Sequence, residues 1–496
     1  LGTVAACWLL FSSAGLEAQA PGGPGAMSST GAGLSTAQVN QAQQQLNTGS
    51  VSGSGQSGSQ VSPDSFKGSI VSGTATSGVM DLSLDEAIQR GLRTNLGIIL
   101  QSSSTLNANG QRLEQLQALL PTVTGQGSYT VEQINLAAYG ISFPGLKPII
   151  GPFQVEDFQA SLKQSILDLP ALQNYLQAKH NFQSAKFTAE DAKDMVVLTV
   201  GNAYLLCIAD AARVEAVKAE LATSKLSLDQ ADASHDAGTS PKLDVLRAQV
   251  DYQNEQQSLI SAANQLAKDK LALARTIGLP LDQQFALTDS APYAALDHVD
   301  PKDAFEQALK NRKDLKALQE SLKAAEAQKK AAWEQQLPKA DVNGFFGDQG
   351  NELSHSHGVY TATGEITAPI LQIAKTKGDE QVAGAQYTQA EARLSDQVQQ
   401  VNQDIRSSIL DIEAAAKLVE ATKSNVDLAT EALKESQERF HEGIADNLPV
   451  SQAQSQFEQA NDQYISALYQ HNVAKLSLAR ALGVAQTSYK TYLGGK

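Results

Sequence analysis

Few side chains in this 496-residue sequence stand at spacings that could do chemistry. His355 and His357 form its one close histidine pair, inside "DQGNELSHSHGV". Neighbouring imidazoles can take a transition metal, but no cysteine or third histidine stands beside them, and a solvated loop is the simpler account. "GSGQSG" (53–58) matches the glycine spacing of a dinucleotide loop, yet no strand precedes it and the whole stretch is Gly/Ser-rich. Glu132, Glu156 and Asp157 lie in alternating, strand-like segments, where they can face a wet lumen. A glycosidase pair would need a cleft in a globular fold, which nothing here supplies. There is no G-x-S-x-G, no G-x4-G-K-S/T and no H-E-x-x-H. The chain is therefore expected to be no enzyme and to need no cofactor or metal.

The totals narrow the class further. Net charge is −15 with no run of Lys or Arg, which argues against a nucleic-acid face. Two cysteines make no disulfide framework, and Cys207 in "AYLLCIAD" reads as a buried thiol. Residues 1–20 hold an apolar stretch followed by Ala18-Gln19-Ala20, the cleavage pattern of a secretory signal, so they read as a signal-peptide remnant. The alternative takes "VAAC" (4–7) as a lipoprotein processing site with Cys7 lipidated; either implies export. Residues 21–79 are Gly/Ser/Gln/Ala-rich and predict disorder. No later run of 18 apolar residues follows, so no membrane-spanning helix is expected.

From residue 80 the chain repeats itself. "LSLDEAIQRGLRTN" (82–95) opens one copy, 80–298, and "VDPKDAFEQALKNR" (299–312) opens the other, 299–485, leaving 486–496 as a tail. Leu120-Pro121 answers Leu337-Pro338, and "DAGTSPKLDVLRAQ" answers "HEGIADNLPVSQAQ". Each copy predicts a helix, two strands (122–133 and 153–167; 340–348 and 360–371), a very long helix, a turn and another helix. Val197, Val200, Tyr204, Cys207, Ala211 and Val214 keep the 3-4 spacing of a coiled-coil seam, as do Leu394, Val398, Val401, Ile405, Ile409 and Ile412. Gly238 and Gly443 sit where a left-handed residue ends each long helix. Ser240-Pro241 and Asn447-Leu448-Pro449 restart the chain with a cap and a first-turn proline. Each turn so becomes the tip of an antiparallel helical hairpin, about 100 Å from the strands.

On these residues, together with "LALARTIGLPL" and "LSLARALGV" closing the copies, the chain resembles the TolC family of outer-membrane efflux proteins over 81 to about 485. The resemblance implies a mainly α fold with a small β part. Long helical hairpins build a trimeric α-barrel, and four strands per protomer contribute to a twelve-stranded transmembrane β-barrel. It implies a passive conduit in the outer membrane, contacting lipid there. Its expected partners are two further copies, a periplasmic membrane-fusion adaptor and an inner-membrane pump. It implies adaptor docking at the tips, around Gly238, Pro241, Leu243, Gly443, Leu448 and Pro449. It also implies an acidic gate there, with Asp244 in the family's position and Asp446 close by but out of register; charged family positions are here Ala445, Pro449 and Gln452. Asp244 can equally serve its own helix N-terminus. A periplasmic coiled-coil adaptor or stalk without a barrel is the alternative function.

Overall fold

The computed structural model describes residues 63–141, 144–145, 147–289, 293–296, 299–351, 355–442, 444 and 448–493. The expected signal remnant with Cys7, residues 21–62 with the glycine-rich match, and Gly443 and Asp446 at the second tip lie outside them. The described residues belong to one unit, Ser59–Lys496. In the first copy β1 (Met80–Leu82) leads to α1 (Leu84–Thr94), α2 (Leu96–Gln117), β2 (Thr122–Asn135), β3 (Ile149–Leu167), α3 (Leu169–Asp236), α4 (Lys242–Ile277) and β4 (Phe285–Leu287). The second runs α5 (Pro301–Asn311), α6 (Lys313–Glu334), β5 (Lys339–Gly350), β6 (Ser356–Thr367), α7 (Ile373–His441) and α8 (Leu448–Ala481), with α9 (Ala485–Tyr492) at the end.

Local chemistry explains where helices begin and break. Ser83 accepts from the Glu86 amide at 3.2 Å to start α1, and Asp168 accepts from Ala171 at 2.9 Å to start α3, with Pro170 in its first turn. Between α1 and α2, Asn95 turns extended (ψ 130°), accepting from Gly97 and donating to the Phe66 carbonyl. Arg312 breaks α5 from α6 at the matching place, with ψ 124°. Each copy closes on a left-handed glycine, Gly278 and Gly483, both at φ 71°. Their flanking amides close the same six-residue loop, Leu279 to the Ala274 carbonyl and Val484 to Ala479. A Cβ on Gly278 would stand 2.6 Å from the Ile70 carbonyl and from Thr94 Oγ1. Gly278→Ala is thus expected to lower stability by about 2–4 kcal/mol, adding left-handed strain to overpacking. Denaturant titration of the purified protein measures it, and a loss below about 1 kcal/mol defeats this account.

The two long helices, 68 and 69 residues, each rise about 100 Å. One core gathers Leu82, Ile88, Val196, Val200, Tyr204 and Leu476. A second gathers Leu315, Val401, Ile405, Ile412, Leu478 and Leu482. Gly201 lets α3 meet α8 closely: a Cβ there would lie 2.4 Å from Leu476 Cδ2. Cys207 is fully buried and free.

Two expectations are corrected, and the tail takes a defined place. Residues 63–72 are ordered against the core: Phe66 is buried, Ile70 donates to the Thr94 carbonyl and Ser72 to Gly278. Composition missed this because a single phenylalanine and a few backbone bonds anchor the segment. The tail from 486 is largely helical, with Tyr489 bonded to Asp85 and the Gln486 amide to Asp194 at 2.8 Å. Finally, α3 does contain a window apolar enough by length and composition to cross a membrane, at mean hydropathy 1.7. That window is 44 % buried within the chain, and Val196, Val197, Val200 and Tyr204 of α3 belong to the first core, which accounts for much of its apolar character.

Candidate functional site

The four long strands form one antiparallel sheet in the order β2-β3-β5-β6, open at both edges. Its register sorts the side chains onto two faces. Gly125 pairs with Ala160, Ala160 with Phe346 and Phe346 with Tyr360. Stepping by two from these places Val123, Tyr129, Val131, Phe158, Leu162, Val342 and Ile366 on the same face. Every one of them is a large apolar side chain left exposed. The opposite face carries Thr124, Gln126, Ser128, Thr130, Gln159, Ser161, Asn343, Thr361 and Thr363. Glu132 and Asp157 join this polar face, as expected, but Glu156 falls on the apolar one, opposite Tyr129. Of Phe345 and Phe346, only Phe346 sits in the apolar band, at 70 % exposure. His357 lies on the polar face opposite Gln349.

At the far end of the helices the first turn is built as its residues dictate. Gly238 is left-handed at φ 74°, its amide bonds the His235 carbonyl, and Thr239 bonds Ser234 at 2.9 Å. The second tip repeats the longer bond, Ile444 to Arg439. Pro449 stands in the first turn of α8, whereas Pro241 is itself the N-cap of α4 and no side chain caps that start. Ser240 instead offers its carbonyl to His235 Nδ1 at 3.0 Å. Asp244, in the first turn of α4, is buried at 3 % exposure with Arg247 at 3.6 Å. Leu243, Leu246, Ile444 and Leu448 are exposed around these turns.

A third feature was invisible in the sequence. Glu220 on α3, Glu255 on α4 and Glu458 on α8 bring carboxylate oxygens within 4.8 Å of one another. Among the described residues this is the group of three carboxylate, imidazole or thiol side chains that converges; His355 and His357 join no such group. The three glutamates line a cavity of about 450 Å³ with Asp210, Arg213 and Asp462. Arg213 is committed elsewhere, to Asp210 at 3.0 Å and Asp462 at 2.5 Å. Burial, then the hydrogen bond and charge of Glu255, push Glu458 up to about 8, and burial with Glu255 also raises Glu220. The folded chain therefore holds a proton at Glu458 that the unfolded chain has released, so this contribution to stability is present below about 4.5 and lost as pH rises toward about 8. In chelator, unfolding midpoints are expected to fall across that window relative to Glu458→Gln; parallel curves would contradict it.

The sequence profile of the family described as "Outer membrane efflux protein" matches residues 107–279 and 304–484, one stretch in each copy. SepC of Pseudomonas putida, a probable efflux pump outer membrane protein, is 25 % identical over 325 residues. That alignment spans 64 % of this chain and 65 % of SepC, less than two thirds of that relative's length. SrpC of Pseudomonas putida, a solvent efflux pump outer membrane protein, is 22 % identical over 404 residues, covering 78 % of this chain and 84 % of SrpC. In fold, the chain is similar to outer membrane protein VceC of Vibrio cholerae, with a TM-score of 0.71 at 18 % identity over 81 % of this chain and 96 % of that one. It is also similar to the CmeC outer membrane channel of Campylobacter jejuni, at 0.73 and 14 % identity over 81 % and 86 %. With its profile matched through both copies, the chain belongs to the outer membrane efflux protein family.

Proposed function

We propose that three copies of this chain form a passive export channel of the outer membrane, each giving its four strands to a twelve-stranded β-barrel and its hairpins to a periplasmic α-barrel. The observation that carries this is the two-faced open sheet. An apolar, aromatic-bearing face is suited to lipid and a Thr/Gln/Ser face to a wet lumen. Four strands cannot close on themselves, since the smallest barrels have about eight, and open edges are not tolerated in lipid. Further copies satisfy β2 and β6. Apolar side chains exposed on α4 (Val250, Ile260) and α7 (Leu410, Leu418, Leu428) give those copies surfaces to cover.

Copies 80–298 and 299–485 act as the two halves of each protomer's wall. The tips meet a periplasmic adaptor through Leu243 and Leu448, on turns where Gly238, Pro241 and Pro449 stand and to which Gly443 belongs by its place in the repeat, and through it an inner-membrane pump supplies the energy. Asp244 and Asp446 are the acidic candidates for closing this end; Asp244 acts through Arg247, the more exposed member of its pair. The adaptor or stalk alternative has no use for an apolar sheet face in water, and the family match through both copies speaks against it. SrpC's name leads us to small apolar molecules as cargo. Electron microscopy of the detergent-solubilised protein, processed without imposed symmetry, tests the reading. Tapered three-fold cylinders with a lumen are expected; water-soluble rods or monomers overturn it.

A further inference from the structure

We propose that the step from β6 into α7 is a seat for an anionic phospholipid, with Ile370, Leu371 and Ile373 against its acyl chains and Lys377 at its phosphate. The inference rests on the channel reading and adds to it the kind of lipid that meets the wall just below the sheet. The apolar face of the sheet does not end with its last strand residue. The register aligns Leu167, Ala340 and Ile366 in one row of that face. Leu167 and Ile366 are both exposed there. A few residues further on, Ile370, Leu371 and Ile373 are 90 %, 82 % and 65 % exposed. Large aliphatic side chains crowded into so short a step forfeit the gain of burial if water covers them, and a contiguous patch of this kind marks an interaction surface.

The charges beside the step select the headgroup. At the matching step of the first copy, Asp168 caps α3 and holds Lys339 at 3.0 Å. The second copy has Gln372 in that place, and the first turn of α7 carries no acid. The first charges to follow are both positive. Lys375 is shared with Asp379 at 3.4 Å and Gln335 at 3.1 Å, whereas Lys377 is exposed and makes no ion pair among the described residues. The acids Asp379 and Glu380 come later on the helix, turned to Lys375 and to Gln336. Side chains on a helix lean toward its N-terminus, so Lys377 leans back toward the apolar step. A lysine in that position lays its stem along acyl chains and brings its ammonium to a phosphate. A second copy on the open edge of β6 is the other possible cover. Lipid is favoured because Leu167 and Ile366 carry the lipid-suited face straight into the step.

The test uses the full chain carrying Ile370→Trp together with Trp8→Phe and Trp333→Phe, which leaves a single tryptophan, at the step. It is reconstituted into vesicles of dioleoyl phosphatidylcholine mixed equally with dioleoyl phosphatidylglycerol, and flotation reports insertion. Brominating the acyl chains of one lipid at a time makes that lipid a contact quencher. Quenching is expected to show a relative affinity about fivefold in favour of phosphatidylglycerol. Lys377→Gln should bring the two lipids to equality, while Lys434→Gln, exposed near the far end of α7, should keep the preference. Ile370 and Lys377 are both exposed, so neither replacement puts folding at risk. Excess inorganic phosphate at constant ionic strength should leave the preference intact; its loss would mark a free-anion site and overturn the lipid assignment. Floating protein whose tryptophan neither lipid quenches would place a second copy on the step. Equal quenching by both lipids, or a preference kept in Lys377→Gln, would remove the headgroup contact. Each of these results overturns the proposal and leaves the channel standing, whereas protein that does not float with the vesicles overturns both.

Discussion

Phe346→Arg is expected to remove most of the protein from the outer membrane, while Thr361→Arg leaves its level close to normal. The two positions lie on adjacent paired strands, but the register puts Phe346 on the apolar face, opposite Tyr360, and Thr361 on the polar face, opposite Phe345. An arginine on a lipid-facing strand near the bilayer midplane costs about 2–4 kcal/mol, whereas a lumen position leaves its charge in water. In a trimer the cost falls three times on one assembly. Membrane fractionation and immunoblotting of cells expressing each variant measure the effect. Equal recovery of the two variants would mean that the faces are wrongly assigned, and with them the barrel.

The second large effect is expected at Arg312. Its guanidinium is buried at 5 % exposure. Nε meets Asp314 Oδ1 at 3.0 Å, Nη2 meets Asp314 Oδ2 at 2.6 Å, and Nη1 reaches Asp404 on α7 at 3.1 Å. The residue breaks α5 from α6, holds α7 beside them, and receives Gly483, where a Cβ would come within 2.9 Å of the Arg312 backbone. Arg312→Ala leaves the partly exposed carboxylates of Asp314 and Asp404 without their partner and removes a buried guanidinium, and is expected to cost about 2–3 kcal/mol. Lysine cannot restore the two-pronged grip, so Arg312→Lys should recover only part of it. Burial pushes Asp314 up, but the hydrogen bonds and charge of Arg312 outweigh it and hold the carboxyl below its ordinary 3.8. This stabilisation is therefore full above that value and lost as pH falls through the depressed one. Denaturant titration at pH 7 decides the matter; a loss under about 1 kcal/mol would show that the pair contributes little beyond its own desolvation.

Arg312 also shows how two copies of one plan diverge. "LRTN" of the first copy ends in Asn95 where "LKNR" of the second ends in Arg312. Asn95 solves the helix break with one amide, accepting from Gly97 and donating to Phe66. Arg312 solves it with an ion pair to two other helices. The matching position was legible in the repeat; the different chemistry at it was not.

What the sequence alone determined is what short-range chemistry controls. The internal duplication, the two very long helices, the alternating strand segments and the first turn, with its left-handed Gly238, all follow from periodicity and backbone preference within a few residues. So does the seam of α3, where Val197, Val200, Tyr204 and Cys207 are fully buried. Tertiary structure alone decided the rest. Strand register chose which of Phe345 and Phe346 meets the apolar side, because a shift by one residue would exchange the faces. Asp244, equally readable as a gate or a helix anchor, proved to be buried beside Arg247. Glu220, Glu255 and Glu458 carry no shared local pattern, since each sits on a different helix and only the packing of α3 against α4 and α8 brings their charges together. Local interactions write themselves into neighbouring residues, whereas convergence across helices is a property of how the chain returns to itself.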